Sequence, residues 1–249
     1  MRDTIFRAMV VSKINEKDFI RQITERSINE LPEGEVLVRV RFSSLNYKDG
    51  LSCTGNPGVT RNYPHTPGID ASGEVAESSD SRFKVGDSVI VTSYDLGMNT
   101  SGGFGQYIRV PADWVVPLPD GLSVKEAMIY GTAGYTAALS VHALLKHGVT
   151  PDQGEVVVTG STGGVGSVSV ALLSNLGYNV VAATGKTEET EFLRRLGAEE
   201  IIHRDEVNDE SRKPLLRERW VGAVDTVGGT TLATLLKAIK RGGAAAATG

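Results

Sequence analysis

Residues Glu155 to Gly166 read EVVVTGSTGGVG. Three consecutive valines run into Gly160, Gly163, Gly164 and Gly166, and the apolar positions Val165, Val168, Val170, Leu172 and Leu173 follow at helical spacing. The stretch reads as a strand, a tight glycine turn and a helix. Glycines in the spacing GxxGxxG remove side chains, so the main chain can approach a pyrophosphate. The N–H groups at the positive end of the helix then meet its charge. The alternative is a structural strand-to-helix turn that holds nothing; the strand before it and the helix after it favour phosphate binding.

Outward from this loop, strands and helices alternate. Strand Glu155–Thr159 leads to a helix over 165–176, strand Asn179–Ala183 to a helix over 188–196, and a short strand falls at Ile201–Ile202. Strand Gly222–Thr226 leads to a helix over 231–239, and Ala244–Ala247 reads as a last strand. Such alternation with short connections predicts a parallel sheet with helices on both faces, a doubly wound Rossmann-type α/β domain. The chain stops just after the fifth strand, where sheets of this class usually continue to a sixth. The expectation is a domain whose C-terminal part is missing.

The first 120 residues read differently. Glu35–Phe42 (EVLVRVRF) sets Val36, Val38 and Val40 against a wetter face of Leu37, Arg39 and Arg41. Strand-like runs at Asp70–Ala76, Val85–Thr92 and Gly102–Val110 follow, broken by Gly and Pro. Short strands at this spacing predict a compact β-barrel-like domain. Residues 124–146 are helix-like but interrupted at Gly131, Thr132 and Gly134, which predicts two helices. The expected domains are therefore 1–123 and 124–249, divided near Gly121–Val124.

Composition bounds the function. Glycine is 29 of 249 residues, about 12%, against a usual ~7%. With only 9 prolines and no three-residue period, the excess points to tight turns. A net charge of −4 argues against a nucleic-acid binder. The one cysteine, Cys53, permits neither an intrachain disulfide nor a multi-cysteine zinc site, which fits a reducing compartment. Met1–Val11 lacks a signal-peptide core, and no stretch approaches the ~20 apolar residues of a membrane span. The expectation is a soluble, cytoplasmic protein with a small-molecule substrate.

The end of the second strand of the alternating half bears on the nucleotide. An NAD site places an acid about 20 residues beyond the glycine motif, on the ribose 2′-hydroxyl. Here the strand ends Val181-Ala182-Ala183-Thr184-Gly185-Lys186, with no carboxylate before Glu188. Lys186 would attract a 2′-phosphate and Thr184 could donate to it, which favours NADPH over NADH. The plain alternative for Lys186 is a solvated side chain at a helix start.

Several stretches together resemble the medium-chain dehydrogenase/reductase superfamily, in its zinc-free quinone oxidoreductase-like branch, near the NADPH-dependent acrylyl-CoA reductases. They are Ser44-Leu45-Asn46-Tyr47-Lys48-Asp49, Pro67-Gly68-Ile69-Asp70-Ala71-Ser72-Gly73, Gly131-Thr132-Ala133-Gly134-Tyr135-Thr136-Ala137, the loop Thr159–Gly166, and Asp225-Thr226-Val227-Gly228. The resemblance covers essentially the whole chain and implies a GroES-like β-barrel before the Rossmann domain. It implies a chain that runs well past residue 249, and a homodimer. Zinc-dependent branches carry Cys where Tyr47 stands and His-Glu where Ile69-Asp70 stands. His65, His142, His147 and His203 share no ligand-like spacing and read as surface or capping residues.

Carried over residue by residue, the resemblance puts Tyr47 near the nicotinamide and Ser161, Thr162, Gly163, Gly164 and Val165 at the pyrophosphate, with Gly160 and Gly166 shaping the loop. It puts Thr184, Gly185 and Lys186 at the 2′-phosphate and Arg204 beside the adenosine. Asn46, Tyr47 and Asp49 form the catalytic loop. Asn46 and Asp49 could equally bond loop backbone, and Arg204 could be a surface arginine tempered by Asp205.

The implied chemistry is hydride transfer from NADPH to the β-carbon of an activated C=C bond, in a cleft between barrel and sheet. Without a metal, backbone N–H groups or side chains such as Asn46 and Tyr47 must meet the charge on the substrate oxygen. Tyr47 or water would then protonate the α-carbon. Three readings follow: reduction of an unsaturated acyl thioester such as acrylyl-CoA, reduction of quinones or enones, or crystallin-like NADPH binding without turnover.

Overall fold

A computed structural model describes residues 4–211 and 213–249. The chain forms two compact units, Met1–Thr132 and Ala133–Gly249. The division expected at 123/124 coincides with the start of a helix, whereas the contacts divide inside that helix, just past Gly131.

The first unit holds a two-stranded hairpin of β1 (Ile5–Lys13) and β2 (Phe19–Ser27). Its main sheet is antiparallel. It contains β3 (Val36–Phe42), β4 (Asp70–Ser78), β5 (Ser88–Thr92), β6 (Tyr107–Val110) and β7 (Val115–Pro117) in the order β6-β3-β4-β5-β7. The alternation in β3 holds in part. Val36 and Val38 enter a core with Val75, Val89, Val91 and Ile108. Leu37, expected on the wetter face, is buried instead with Phe6, Ala8, Val10 and Ile28. β1 of the hairpin, with Ile28 just after β2, covers that face of β3, and periodicity within β3 does not reveal it. A second element beyond the sequence expectation is α1 (Tyr47–Cys53), a short helix where an irregular loop was expected.

Val124–Lys146 (α2) is two helical segments, as expected, separated at Gly131, whose φ of 51° and ψ of −156° are non-helical. This is left-handed φ, where glycine has no steric penalty. A Cβ there would also stand 2.5 Å from Ser44 Oγ and 2.9 Å from Asp70 Oδ2. Gly134 causes no break, because its position lies within the regular helix that resumes after Gly131.

The second unit is the parallel sheet expected from the sequence. It comprises β8 (Glu155–Thr159), β9 (Asn179–Thr184), β10 (Glu200–His203), β11 (Trp220–Asp225) and β12 (Ile239–Ala247), ordered β10-β9-β8-β11-β12. The helices α3 (Gly164–Asn175), α4 (Thr190–Arg195) and α5 (Gly229–Ala238) connect them. The central strands β8, β9 and β11 are buried on both faces, as continuous apolar runs require. Val156 and Val158 of β8 pack with Val170 and Leu173 of α3. Val157, pointing the other way, packs with Leu235 of α5. Truncating Leu173 to alanine would cost about 2–5 kcal/mol, the usual range for a filled core site. The strand order reverses between β8 and β11, which opens a crevice at the C-terminal ends of those strands.

Candidate functional site

That crevice is the mouth of a cleft of about 560 Å³ in the second unit. Each wall is the segment just after a strand. Gly160 and Thr162 follow β8, Gly185 and Lys186 follow β9, Arg204 and Asn208 follow β10, and Val227 and Thr231 follow β11. Six of the residues expected from the sequence therefore meet in one place: Gly160, Thr162, Thr184, Gly185, Lys186 and Arg204.

The glycine loop is built by close backbone approach. Gly160 has φ +55°, and a Cβ on it would stand 2.3 Å from Thr226 Oγ1. A Cβ on Gly166 would stand 2.3 Å from the Gly160 carbonyl oxygen and 2.7 Å from Ser161 Cα. A Cβ on Gly164 would stand 3.0 Å from Ala133 Cβ. Gly163 caps α3 and its N–H donates to the Gly160 carbonyl at 2.9 Å. The N–H groups of Gly164, Val165 and Gly166 form the first helical turn, whose N–H groups find no acceptor within a helix. Free N–H groups at a helix start are chemically able to hold an anion.

Ser161 departs from expectation. It is fully buried, and both its hydroxyl and its N–H donate to the Ala183 carbonyl, at 3.0 and 3.3 Å. It ties the loop to β9, and neither donor points at a ligand.

A second tie fixes the loop to β11. Buried Asp225 accepts the Thr159 hydroxyl at 2.6 Å and the Gly228 N–H at 2.8 Å. Thr226 donates its N–H to Thr159 Oγ1 at 3.0 Å and its hydroxyl to the Thr159 carbonyl at 3.0 Å. At the far end, Asn208 Nδ2 donates to the Arg204 carbonyl at 3.2 Å, while its Oδ1 accepts the Thr231 hydroxyl at 2.7 Å. Sequence reasoning passed over Asp225 as a tie, and gave Asn208, Val227 and Thr231 no role at the site. One signal could have found them: all follow or end a strand of the parallel sheet, at the edge where such sheets bind ligands.

The cationic side of the cleft is formed by Lys186 and Arg204. Thr184 Oγ1 accepts the Lys186 N–H at 3.0 Å, which shapes the turn. Asp205 also lines the cleft, 4.0 Å from Arg204 Nε and 3.1 Å from His203 Nδ1. The glycine loop on one wall and two cations on another suit an elongated polyanion.

In the first unit, the expected catalytic loop is the start of α1. Asn46 is the N-cap: its Oδ1 accepts the Lys48 N–H at 3.0 Å. Asp49 is buried, and its carboxylate accepts the N–H groups of Asn46, Gly68 and Ile69 at 2.8, 3.1 and 3.0 Å. Burial pushes its pKa up against the pull of those bonds. Both oxygens thus hold backbone, and Asp49 acts as a positioning group. Tyr47, at the first helical position, is 82% exposed.

Asp70 is also buried, and burial raises its pKa while the Thr132 bonds and the charge of Lys48 oppose the rise. Among the described residues, no three His, Cys, Asp or Glu side chains group as metal ligands. His65 is a correction to the expected surface or capping role. It is buried, and its Nε2 lies 2.8 Å from the Gly97 carbonyl oxygen, a core bond that lets the ring be buried. Burial lowers its pKa. His203 does cap, accepting the Asp205 N–H. No helix among the described residues is long and apolar enough to cross a membrane.

Comparison with known proteins adds to this geometry. Residues 32–120 match the alcohol dehydrogenase GroES-like domain and residues 164–249 the zinc-binding dehydrogenase family. The chain is 48% identical over 246 residues to acrylyl-CoA reductase AcuI of Ruegeria pomeroyi, covering 98% of this chain and 74% of that protein. It is 49% identical over 246 residues to YhfP of Bacillus subtilis, provisionally named a quinone oxidoreductase, again covering 74% of that protein and 99% of this one. The crystal structure of YhfP with NAD bound superposes with a TM-score of 0.95. That of the yhdH oxidoreductase of Salmonella enterica in complex with NADP gives 0.93 at 46% identity, covering 97% of this chain and 74% of that one.

Proposed function

The chain belongs to the medium-chain dehydrogenase/reductase superfamily, and from that premise we propose that it is an NADPH-dependent oxidoreductase that reduces the activated C=C bond of an α,β-unsaturated acyl thioester. The observation that carries this reading is the cleft at the sheet reversal, with Gly160 and Thr162 of the glycine loop on one wall and Lys186 with Arg204 on another. The residues fit NADPH. The N–H groups of Gly164, Val165 and Gly166 would hold the pyrophosphate, and Lys186, Arg204 and the Thr184 hydroxyl would hold the 2′-phosphate. A carboxylate at Thr184 would repel that group; a threonine does not.

Bound NADPH supplies the hydride. The chain's own part is to orient the nucleotide and to meet the charge that develops on the substrate carbonyl oxygen. Asn46 and Tyr47 are the proposed donors for that oxygen, and Tyr47 or a water delivers the proton to the α-carbon. Removing a donor of this kind typically costs ~3 kcal/mol of transition-state stabilisation. Asp49 holds the start of α1 in place through three backbone bonds. The reaction is read as zinc-independent because the donor set does not fit zinc. Tyr47 and Ile69 are not zinc ligands, and the carboxylates of Asp49 and Asp70 are already bonded to backbone.

Acrylyl-CoA is the first substrate to test, supported by the likeness to AcuI. Loss of NADPH absorbance with acrylyl-CoA, undiminished by a zinc chelator, is the expected result; no loss with this substrate or longer enoyl thioesters would refute the thioester reading. The provisional name of YhfP supports a second reading, reduction of quinones or simple enones with the same cofactor. Rates on the two substrate types measured side by side decide between them. The family likeness also supports a homodimer, which light scattering of the purified chain checks.

A further inference from the structure

Gly185 lies between Thr184 and Lys186, and its φ is outside the left-handed region, so backbone conformation does not demand a glycine there. Arg204 does. A Cβ on Gly185 would stand 2.8 Å from Arg204 Cδ, 3.0 Å from Nε and 3.3 Å from Cζ. The guanidinium end of Arg204 therefore lies directly across the turn from which Lys186 departs. Among the described residues, no ion pair inside normal hydrogen-bond reach holds it there: its nearest carboxylate oxygen, on Asp205, is 4.0 Å away, and the side chain is 72% exposed. The space left by the missing side chain is what admits it.

We infer that Gly185 is a specificity-determining position, which sets the preference for a 2′-phosphorylated nucleotide by admitting Arg204 beside Lys186. This rests on the nucleotide reading above and goes beyond it by making Gly185 act only through Arg204. A phosphate dianion is best held by two cations, and a planar guanidinium offers it paired donors. Any side chain at 185 turns Arg204 off the turn and leaves Lys186 alone. NADH carries no 2′-phosphate, so its binding scarcely changes. The cost to the fold is small, because the displaced atoms are the far end of one flexible, exposed side chain.

The test is equilibrium binding of NADPH, NADH and adenosine 2′,5′-bisphosphate to the wild-type chain, G185A, R204A and the double variant, with a thermal melt of each. The expected result is a drop of about tenfold in the NADPH-over-NADH preference in G185A, the usual worth of one charge-assisted contact. R204A should show a similar drop, the double variant should lose no more than R204A, and the bisphosphate should follow NADPH. Three outcomes overturn the inference: an unchanged preference in G185A, an unchanged preference in R204A, or a further loss when G185A is added to R204A. R204A alters an exposed side chain, so it remains decisive if G185A melts early. Wild-type chain that binds both nucleotides equally refutes this inference alone. Chain that binds neither refutes the nucleotide reading as well.

Discussion

Asp70 accepts both the N–H and the hydroxyl of Thr132, at 3.1 and 2.6 Å, immediately after the break in α2 at Gly131. A residue of β4 thus caps the helix that resumes 62 positions later. The carboxylate is buried and can hold the helix start because the break turns the Thr132 N–H towards it.

Removing the Thr132 hydroxyl in T132V should destabilise the chain by about 1–3 kcal/mol, the cost of leaving a buried polar group short of a partner. D70N keeps an oxygen for both Thr132 bonds but cannot ionise. Burial raises the Asp70 pKa above 3.8, so the folded chain binds this proton more tightly than the unfolded chain. The stability Asp70 contributes is therefore fullest below 3.8 and is lost as pH rises towards the raised folded value. Urea unfolding across that window should show the fall in wild type and a shallower one in D70N.

At Gly166, an added Cβ meets backbone on both sides, the Gly160 carbonyl and Ser161 Cα, so nothing flexible can yield. G166A should destabilise the second unit by about 1–3 kcal/mol, as overpacking does, and weaken NADPH binding. A Cβ on Gly163 meets the Gly160 carbonyl oxygen at a looser 3.2 Å. G163A should be the milder variant. Thermal melts and NADPH titrations of the pair check the ranking.

Lys186 is proposed to face the 2′-phosphate. K186A should weaken NADPH binding by about 10- to 100-fold, the range for a charged hydrogen bond, and leave NADH unchanged. Calorimetric titration with both nucleotides checks this; equal losses would place Lys186 elsewhere on the nucleotide.

Tyr47 offers a hydroxyl on an exposed ring at the start of α1. Y47F should lower kcat by roughly a hundredfold, the usual cost of removing one oxyanion donor, with little change in KM. Steady-state rates on whichever substrate the wild type reduces check the split. A rise in KM alone, with kcat unchanged, would remove Tyr47 from the chemistry.

The sequence by itself determined the second unit. Valine runs such as Val156–Val158, a glycine turn and a helical repeat are local patterns, and their order along the chain dictates a parallel sheet with its loops on one edge. The absence of an acid at the end of β9, before Glu188, was legible for the same reason, since that strand end is fixed by the pattern. Other features depend on residues distant in sequence. Leu37 is buried because β1, with Ile28 just after β2, covers it, and no periodicity within β3 announces that cover. Ser161 looked like a phosphate donor until its hydroxyl met the Ala183 carbonyl on the neighbouring strand. Asp49 looked catalytic until three backbone N–H groups claimed it, two of them from residues 68 and 69. Gly185 matters because of Arg204 on the next strand loop, 19 positions away in the numbering. Local pattern reports which backbone forms; which donor meets which acceptor is decided by tertiary packing, because a hydrogen bond depends on distances that only the folded chain sets.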